Sequence, residues 1–292
     1  MKNRFLLLAS LMLIIFSCQL AFAENEPPKE LDYSISIESY YVGDADLDSS
    51  SASFSTVGNN IEGKYKNFSI VYESEIYNWK DRSKIEFVDR SGATPWNALQ
   101  KLGVGYDGRC ALSEKSVLAY ALQVSSQFEN AITGSSVSVT GFAGYNYRFT
   151  PALNATVGVA AGYNPIGWIV LPAAGVQYFY ENWEFSLGFP TTHIGYKFSD
   201  ELAIRADAGF EGGVYKLADD SNVSENGYVK KYEAKASLLV DWFPCENVKL
   251  TAGPQFVFAR EMKFYNKNHN RVHSSEDPDS TWGAVASVTV TF

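Results

Sequence analysis

From residue 31 to the end of the chain, large apolar and polar side chains alternate with period two, segment after segment. Tyr33, Ile35, Ile37 and Tyr41 share one parity, with Ser34, Ser36 and Glu38 between them. Phe68, Ile70 and Tyr72 stand against Ser69, Glu73 and Glu75. Tyr232, Ala234, Ala236, Leu238, Val240 and Trp242 stand against Lys231, Glu233, Lys235, Ser237 and Asp241. An amphipathic helix repeats every three to four residues, so this pattern specifies β-strands. The candidate strands are 31–41, 55–65, 67–78, 97–107, 115–127, 135–149, 152–163, 168–180, 183–189, 192–198, 201–215, 228–243, 247–261 and 281–292.

The connections come in two kinds that alternate. Short ones fall at Tyr65–Asn67, Phe149–Ala152, Glu181–Trp183, Ser199–Glu201 and Pro244–Asn247, with a somewhat longer one at Asp107–Glu114. Long ones, rich in Asp, Ser, Asn and Gly, fall at Gly43–Ser53, Trp79–Trp96, Gln127–Ser135, Leu217–Gly227 and Met262–Ser280; Gly162–Gly167 is shorter but irregular. Alternation of turns with long loops is the pattern of a transmembrane barrel, whose two rims face different compartments. A soluble sandwich uses strands of about 5–6 residues and buries its apolar face. The expected fold is therefore all-β, a single antiparallel up-and-down transmembrane β-barrel. Fourteen strands is the expected count; twelve is the runner-up, because the pair 183–189 and 192–198 is short.

The N-terminus reads as an export signal. Lys2 and Arg4 precede the apolar run Phe5–Phe16, and Ala21-Phe22-Ala23 fits a cleavage site, giving a signal peptide over 1–23. The alternative, lipidation at Cys18, fits less well because Phe16 departs from the usual pattern. Residues 24–30 would form a short periplasmic N-terminus and 31–292 the barrel. Removing Lys2 and Arg4 takes the formal charge from −9 to −11, which argues against nucleic acid as a partner. Cys110 and Cys245 remain, too few for a disulfide scaffold.

The last residues, TWGAVASVTVTF, carry Phe292, Val290, Val288, Ala286 and Ala284 on one parity. This ending resembles the assembly signal of bacterial outer-membrane β-barrel proteins. The resemblance implies outer-membrane lipid and the barrel assembly machinery as partners, with Phe292, Val290 and Val288 read as an open strand edge. A second stretch of similarity involves Leu187-Gly188-Phe189-Pro190, Ile194-Gly195-Tyr196-Lys197-Phe198 and Gly212-Gly213-Val214-Tyr215. It resembles an outer-membrane barrel family of unknown function over roughly the second half of the chain, and it implies no catalytic residue.

The polar parity supplies the candidate lumen: Glu38, Glu73, Glu75, Arg148, Arg205, Asp207, Glu211, Glu233, Lys235, Asp241 and Lys249. These charges predict either a mixed-sign channel lining or a lumen filled by its own ion pairs. His193 is expected in a turn, flanked by Thr191 and Thr192, with no serine at strand spacing to act as a nucleophile. His269 and His273 are expected in loop, where spacing of four does not make a metal site. Asp44, Asp46 and Asp48 start like a calcium loop, but Ser49 and Ser55 replace the Gly and Glu it needs. No cofactor and no catalytic group is implied. Glu24–Glu30 is too short to plug the lumen as in outer-membrane transporters of hydrophobic substrates. The expected function is a passive pore for small solutes or ions; the alternative is a non-conducting barrel that displays acidic loops.

Overall fold

The structure is a computed structural model that describes residues 33–292. The expected signal peptide, the 24–30 stretch and the first two residues of the expected barrel lie outside the described residues. The strands are β1 Tyr33–Asp46, β2 Ser53–Tyr65, β3 Phe68–Lys80, β4 Ala98–Ser113, β5 Ser116–Phe128, β6 Val137–Thr150 and β7 Leu153–Asn164. They continue as β8 Gly167–Tyr180, β9 Trp183–Phe189, β10 Thr191–Lys197, β11 Leu202–Lys216, β12 Tyr228–Cys245, β13 Val248–Tyr265 and β14 Thr281–Thr291. Each strand pairs with its sequence neighbours, and β14 closes on β1, so the fourteen make one closed barrel. Twelve strands is excluded, because β9 and β10 are separate strands in register with each other and with their flanks.

Closure is antiparallel, from Ser34 opposite Thr291 to Val42 opposite Gly283. At the seam, the Phe292 N–H donates to the Tyr33 carbonyl at 2.9 Å, and the two rings stack at 5.3 Å. The apolar parity faces outward around the barrel: Ile35, Ile70, Val104, Val157, Val170 and Leu238 are each at least half exposed. In water such a continuous apolar surface would drive aggregation; it suits lipid acyl chains. Aromatic residues mark both edges of this belt. Tyr33, Phe68, Phe149, Tyr180, Trp183, Phe198 and Trp242 lie near the turns, and Tyr163, Trp168 and Trp282 near the loops. Amphipathic rings favour such interfaces. Eleven residues of tilted strand, the length of β14, rise about 25–30 Å, enough to cross that belt.

The structure corrects several boundaries. β4 runs through to Ser113, so the turn expected over Asp107–Glu114 shrinks to Glu114 and Lys115. β1 extends to Asp46 through a register shift between Val42 and Ala45. β13 extends to Tyr265 through a bulge: Glu233 alone separates Tyr232 from Ala234, but Ala259 and Arg260 both separate Glu261 from Phe258. Ala259 takes φ 52°, the left-handed conformation that absorbs the extra residue. Beyond this bulge the parity of β13 flips, which is why the alternation read from sequence breaks there.

β9 and β10 have seven residues each, about half the length of their neighbours. β8 meets β9 only from Ala174 onward, and β11 meets β10 only up to Gly209. Above the hairpin, where β9 and β10 have ended, β11 pairs in parallel with β5 at one position, Lys216 opposite Phe128. Val214, on the outer parity of β11, is consequently buried with Tyr228 and Tyr232 against Ile166 and Ile169.

Candidate functional site: a charged lumen beneath an apolar stopper

At the loop end, inward side chains of six strands converge. They include Phe54 of β2, Tyr77 and Trp79 of β3, Leu99 of β4, Tyr215 of β11, Val229 of β12 and Phe264 of β13. The segment between β3 and β4, residues 81–97, turns in and adds Ile85, Phe87 and Trp96, each no more than 5% exposed. Phe87 stacks on Phe264 at 4.5 Å, and Trp96 meets Trp79 edge-on at 5.2 Å. The Trp79 indole N–H donates to the Trp96 carbonyl at 2.8 Å. The Asp89 N–H donates to the Asn222 carbonyl at 2.7 Å, tying this segment to the β11–β12 loop. Burying each large side chain stabilises the stopper by roughly 1.5–3 kcal/mol. Sequence reading assigned 79–96 to solvated loop; its apolar residues instead cap the barrel from within.

Beneath the stopper lies a belt of ion pairs. The Lys231 ammonium of β12 is 2.5 Å from the Glu75 carboxylate of β3 and 3.5 Å from Glu233. The Tyr40 and Tyr77 hydroxyls donate to Glu75 at 2.6 and 2.8 Å. Lys235 bonds Glu211 of β11 and lies 3.0 Å from Glu233. Arg260 of β13 approaches Glu233 at 3.6 Å. Lys101 of β4 meets Glu73 at 2.9 Å. This belt borders a cavity of about 120 Å³, into which Glu38 also faces.

Toward the turn end, a polar ladder crosses every strand from β6 to β13. Asn146 donates to Asn154 at 3.3 Å, Asn154 to Gln177 at 3.2 Å, and Gln177 to Glu184 at 3.2 Å. His193 follows, its Nε2 3.9 Å from Glu184 and its Nδ1 2.7 Å from Asp207. Arg205 then bridges Asp207 at 2.7 Å and Asp241 at 2.9 Å. The Thr251 hydroxyl donates to Asp241 at 2.5 Å. His193 is thus a lumen-facing residue within β10, correcting its expected place in a turn. Its register neighbours on β9 and β11 are Ser186 and Asp207.

Of the eleven charges singled out in the sequence, Glu73, Glu75, Glu211, Glu233 and Lys235 join the belt, and Arg205, Asp207 and Asp241 join the ladder. Glu38 faces the cavity. Arg148 and Lys249 are half-buried near the turn end, apart from both groups. Lys101 and Arg260 were missed and His193 was misplaced; Lys231 was read on the polar parity with Lys235 but left out of the candidate set. Val288 and Val290 pair with Ile37 and Ile35 along the seam.

The remaining candidates are dispersed. His273 Nε2 bonds the Val223 carbonyl at 3.0 Å, whereas His269 meets the Tyr228 ring at 5.4 Å. Asp44 pairs with Lys80 at 2.6 Å, and Asp48 accepts from the Asp277 N–H at 3.2 Å. Among the described residues no group of three or more His, Cys, Asp or Glu side chains is arranged to hold a metal. Cys110 and Cys245 are both free and exposed.

No sequence-family model matches the chain, and no curated protein does. Solved outer-membrane barrels are similar in architecture. An outer-membrane channel from Pseudomonas putida F1 is 8% identical, with a TM-score of 0.42 over 92% of this chain and 100% of that one. The NanC porin is 7% identical, TM-score 0.41, over 88% and 100%. The P. putida toluene transporter TodX is 12% identical, TM-score 0.34, over 89% and 90%. These values are too low to carry function across.

Proposed function

We propose that the chain is an integral outer-membrane β-barrel acting as a passive channel for small solutes or ions. The carrying observation is the combination of a closed barrel, an outward apolar belt and a lumen lined by fixed charges of both signs. An apolar exterior stabilises insertion in lipid, and charged rings inside a pore bias which ions pass. On this reading the export signal over 1–23 delivers the chain, and the seam formed by β1 with Val288, Val290 and Phe292 is the edge that the assembly machinery handles. The long loops face outward from the cell and the short turns face the periplasm.

On this reading the stopper closes the outer end of the lumen. Conduction then requires the 81–97 segment to withdraw Ile85, Phe87 and Trp96 from the lumen. The same stopper favours a second reading, a non-conducting barrel that presents its acidic loops to a surface partner. Single-channel recording in planar bilayers separates the two. Folded wild-type protein should show rare openings, and replacing residues 82–96 by a short Gly-Ser linker should make them frequent. Silence from both proteins, with folding verified by heat-modifiable migration, would sink the channel reading in favour of the second.

A further inference from the structure

We propose that the lumen cavity is a selective binding site for a small hydroxylated ammonium solute of the amino-alcohol class, anchored by Glu38. The inference deepens the channel reading by naming the class of solute the path selects, and it rests on that reading.

Charge balance comes first. Glu38, Glu73, Glu75, Glu211 and Glu233 face the cavity with only Lys101, Lys231 and Lys235. Each lysine has a carboxylate in contact: Lys101 with Glu73, Lys231 with Glu75 and Glu233, and Lys235 with Glu211 and Glu233. Arg260, behind the belt, is directed at Glu233. Glu38 has no ion-pair partner among the described residues. Lys235 and Arg205 act on the Glu38 carboxylate only from beyond ion-pair distance, so a monocation in direct contact with it adds a stabilisation that neither supplies.

Unsatisfied polar atoms define the rest of the solute. Asn60 is the register partner of Glu38 on β2, and its Oδ1 is buried without a hydrogen bond. Gln255 on β13 is 6% exposed, lines the same cavity, and leaves its Nε2 unpartnered. Buried polar atoms without partners are rare in folded proteins and ask for a ligand or water. An ammonium group donates to both the Glu38 carboxylate and Asn60 Oδ1. A hydroxyl on the same solute pairs with the Gln255 amide in either of its two orientations, since it both donates and accepts. A cavity of about 120 Å³ is slightly smaller than one that holds benzene, which limits the solute to about four to six non-hydrogen atoms. Anions of similar size meet the Glu38 carboxylate, which has no cation in direct contact, and are disfavoured.

The test titrates the full-length protein, folded in detergent micelles at pH 7, with ethanolamine, ethylene glycol and glycolate, followed by saturation-transfer NMR. Ethanolamine should bind saturably in the millimolar range, ethylene glycol at least tenfold more weakly, and glycolate weakest. Glu38→Gln should abolish the preference of ethanolamine over ethylene glycol, and Gln255→Leu should weaken both. Equal binding of all three solutes, absence of saturation, or an unchanged preference in Glu38→Gln would overturn the proposal. The wild-type titration decides even if a variant does not fold. Saturable ethanolamine binding by a barrel that never conducts would sink the channel reading and leave the site standing. Conduction without ethanolamine preference would sink the site and leave the channel.

Discussion

The Lys231 ammonium on β12 and the Glu75 carboxylate on β3 meet at 2.5 Å across the lumen, although five strand positions separate their strands around the wall. The pair is a tie-bar: it links opposite arcs of the barrel rather than adjacent strands. Lys231 and Glu75 are 8% and 12% exposed, so neither is well screened by solvent. Removing one partner of such a pair strands the other charge, and breaking a buried pair typically costs about 3–5 kcal/mol. Lys231→Met should destabilise the barrel within that range. The Lys231→Met/Glu75→Gln double variant should recover much of the loss, giving a coupling energy of at least about 1 kcal/mol. Urea unfolding of the four proteins, followed by tryptophan fluorescence, measures the cycle. Additive losses would show that the pair does not act as a unit.

Trp96 tests the stopper. It is 1% exposed, stacked on Phe87 and edge-on to Trp79 and Tyr77, and its carbonyl accepts from the Trp79 indole. Truncating so large a buried side chain removes about 3–5 kcal/mol of packing. Because Trp96 belongs to the inserted segment rather than a strand, most of that loss should appear as opening of the segment. Trp96→Ala should keep the barrel's heat-modifiable migration while raising the open probability in bilayers. A variant that loses the barrel fold instead would show that the stopper is part of the core the barrel needs.

Much of the wall was legible because period-two alternation, lipid on one side and lumen on the other, constrains almost every strand residue. The alternation alone places Ile35, Ile70 and Leu238 outward, and Glu75 and Glu233 inward. The stopper was not legible. Ile85, Phe87 and Trp96 lie among Asp, Arg, Ser and Gly in a segment without periodicity, and nothing local says that their partners are Leu217, Val229 and Phe264. His193 was misplaced because a seven-residue strand offers too few repeats to set its parity beside Pro190. Arg260 was lost at the bulge, where one extra residue reverses the alternation and sends Met262 and Phe264 inward.

Gly58 holds the belt's geometry in a way that substitution exposes. The Tyr40 ring lies directly over it, so a Cβ added there would overlap the ring itself. The same ring carries the hydroxyl that donates to Glu75, and the Lys235 ammonium lies 4.6 Å from its centre. Gly58→Ala should displace Tyr40, loosen Glu75 from one of its donors and cost about 1–3 kcal/mol by overpacking. In a Tyr40→Ala background the same Gly58→Ala substitution should cost much less than it does in the wild type, since the clash disappears with the ring. An equal cost of Gly58→Ala in both backgrounds, measured by urea unfolding, would place the strain elsewhere.

The loop rim carries a pH dependence whose direction follows from Glu276. This residue is buried between the β13–β14 and β1–β2 loops, paired through its backbone with Met262 at 2.8 and 3.0 Å. Burial pushes its carboxyl up to about 7; the hydrogen bonds from Ser49 oppose that rise, and the neighbouring Asp48 carboxyl adds to it. A carboxyl whose folded value exceeds its unfolded value of about 4.5 takes up protons on folding. Its contribution to the rim's stability is therefore complete below pH of about 4.5 and is lost as pH rises through about 7. Below that range the protonated Glu276 stays with Asp48 and the two loops remain clasped; above it, two carboxylates face each other and the loops separate. Amide hydrogen exchange at Ser49 and Met262, corrected for its intrinsic pH dependence, should show protection falling between pH 6 and 8. Glu276→Gln, neutral at every pH, should hold the clasp throughout and flatten the profile. A wild-type profile that is already flat, or one that Glu276→Gln leaves unchanged, would assign the rim's pH response to another group.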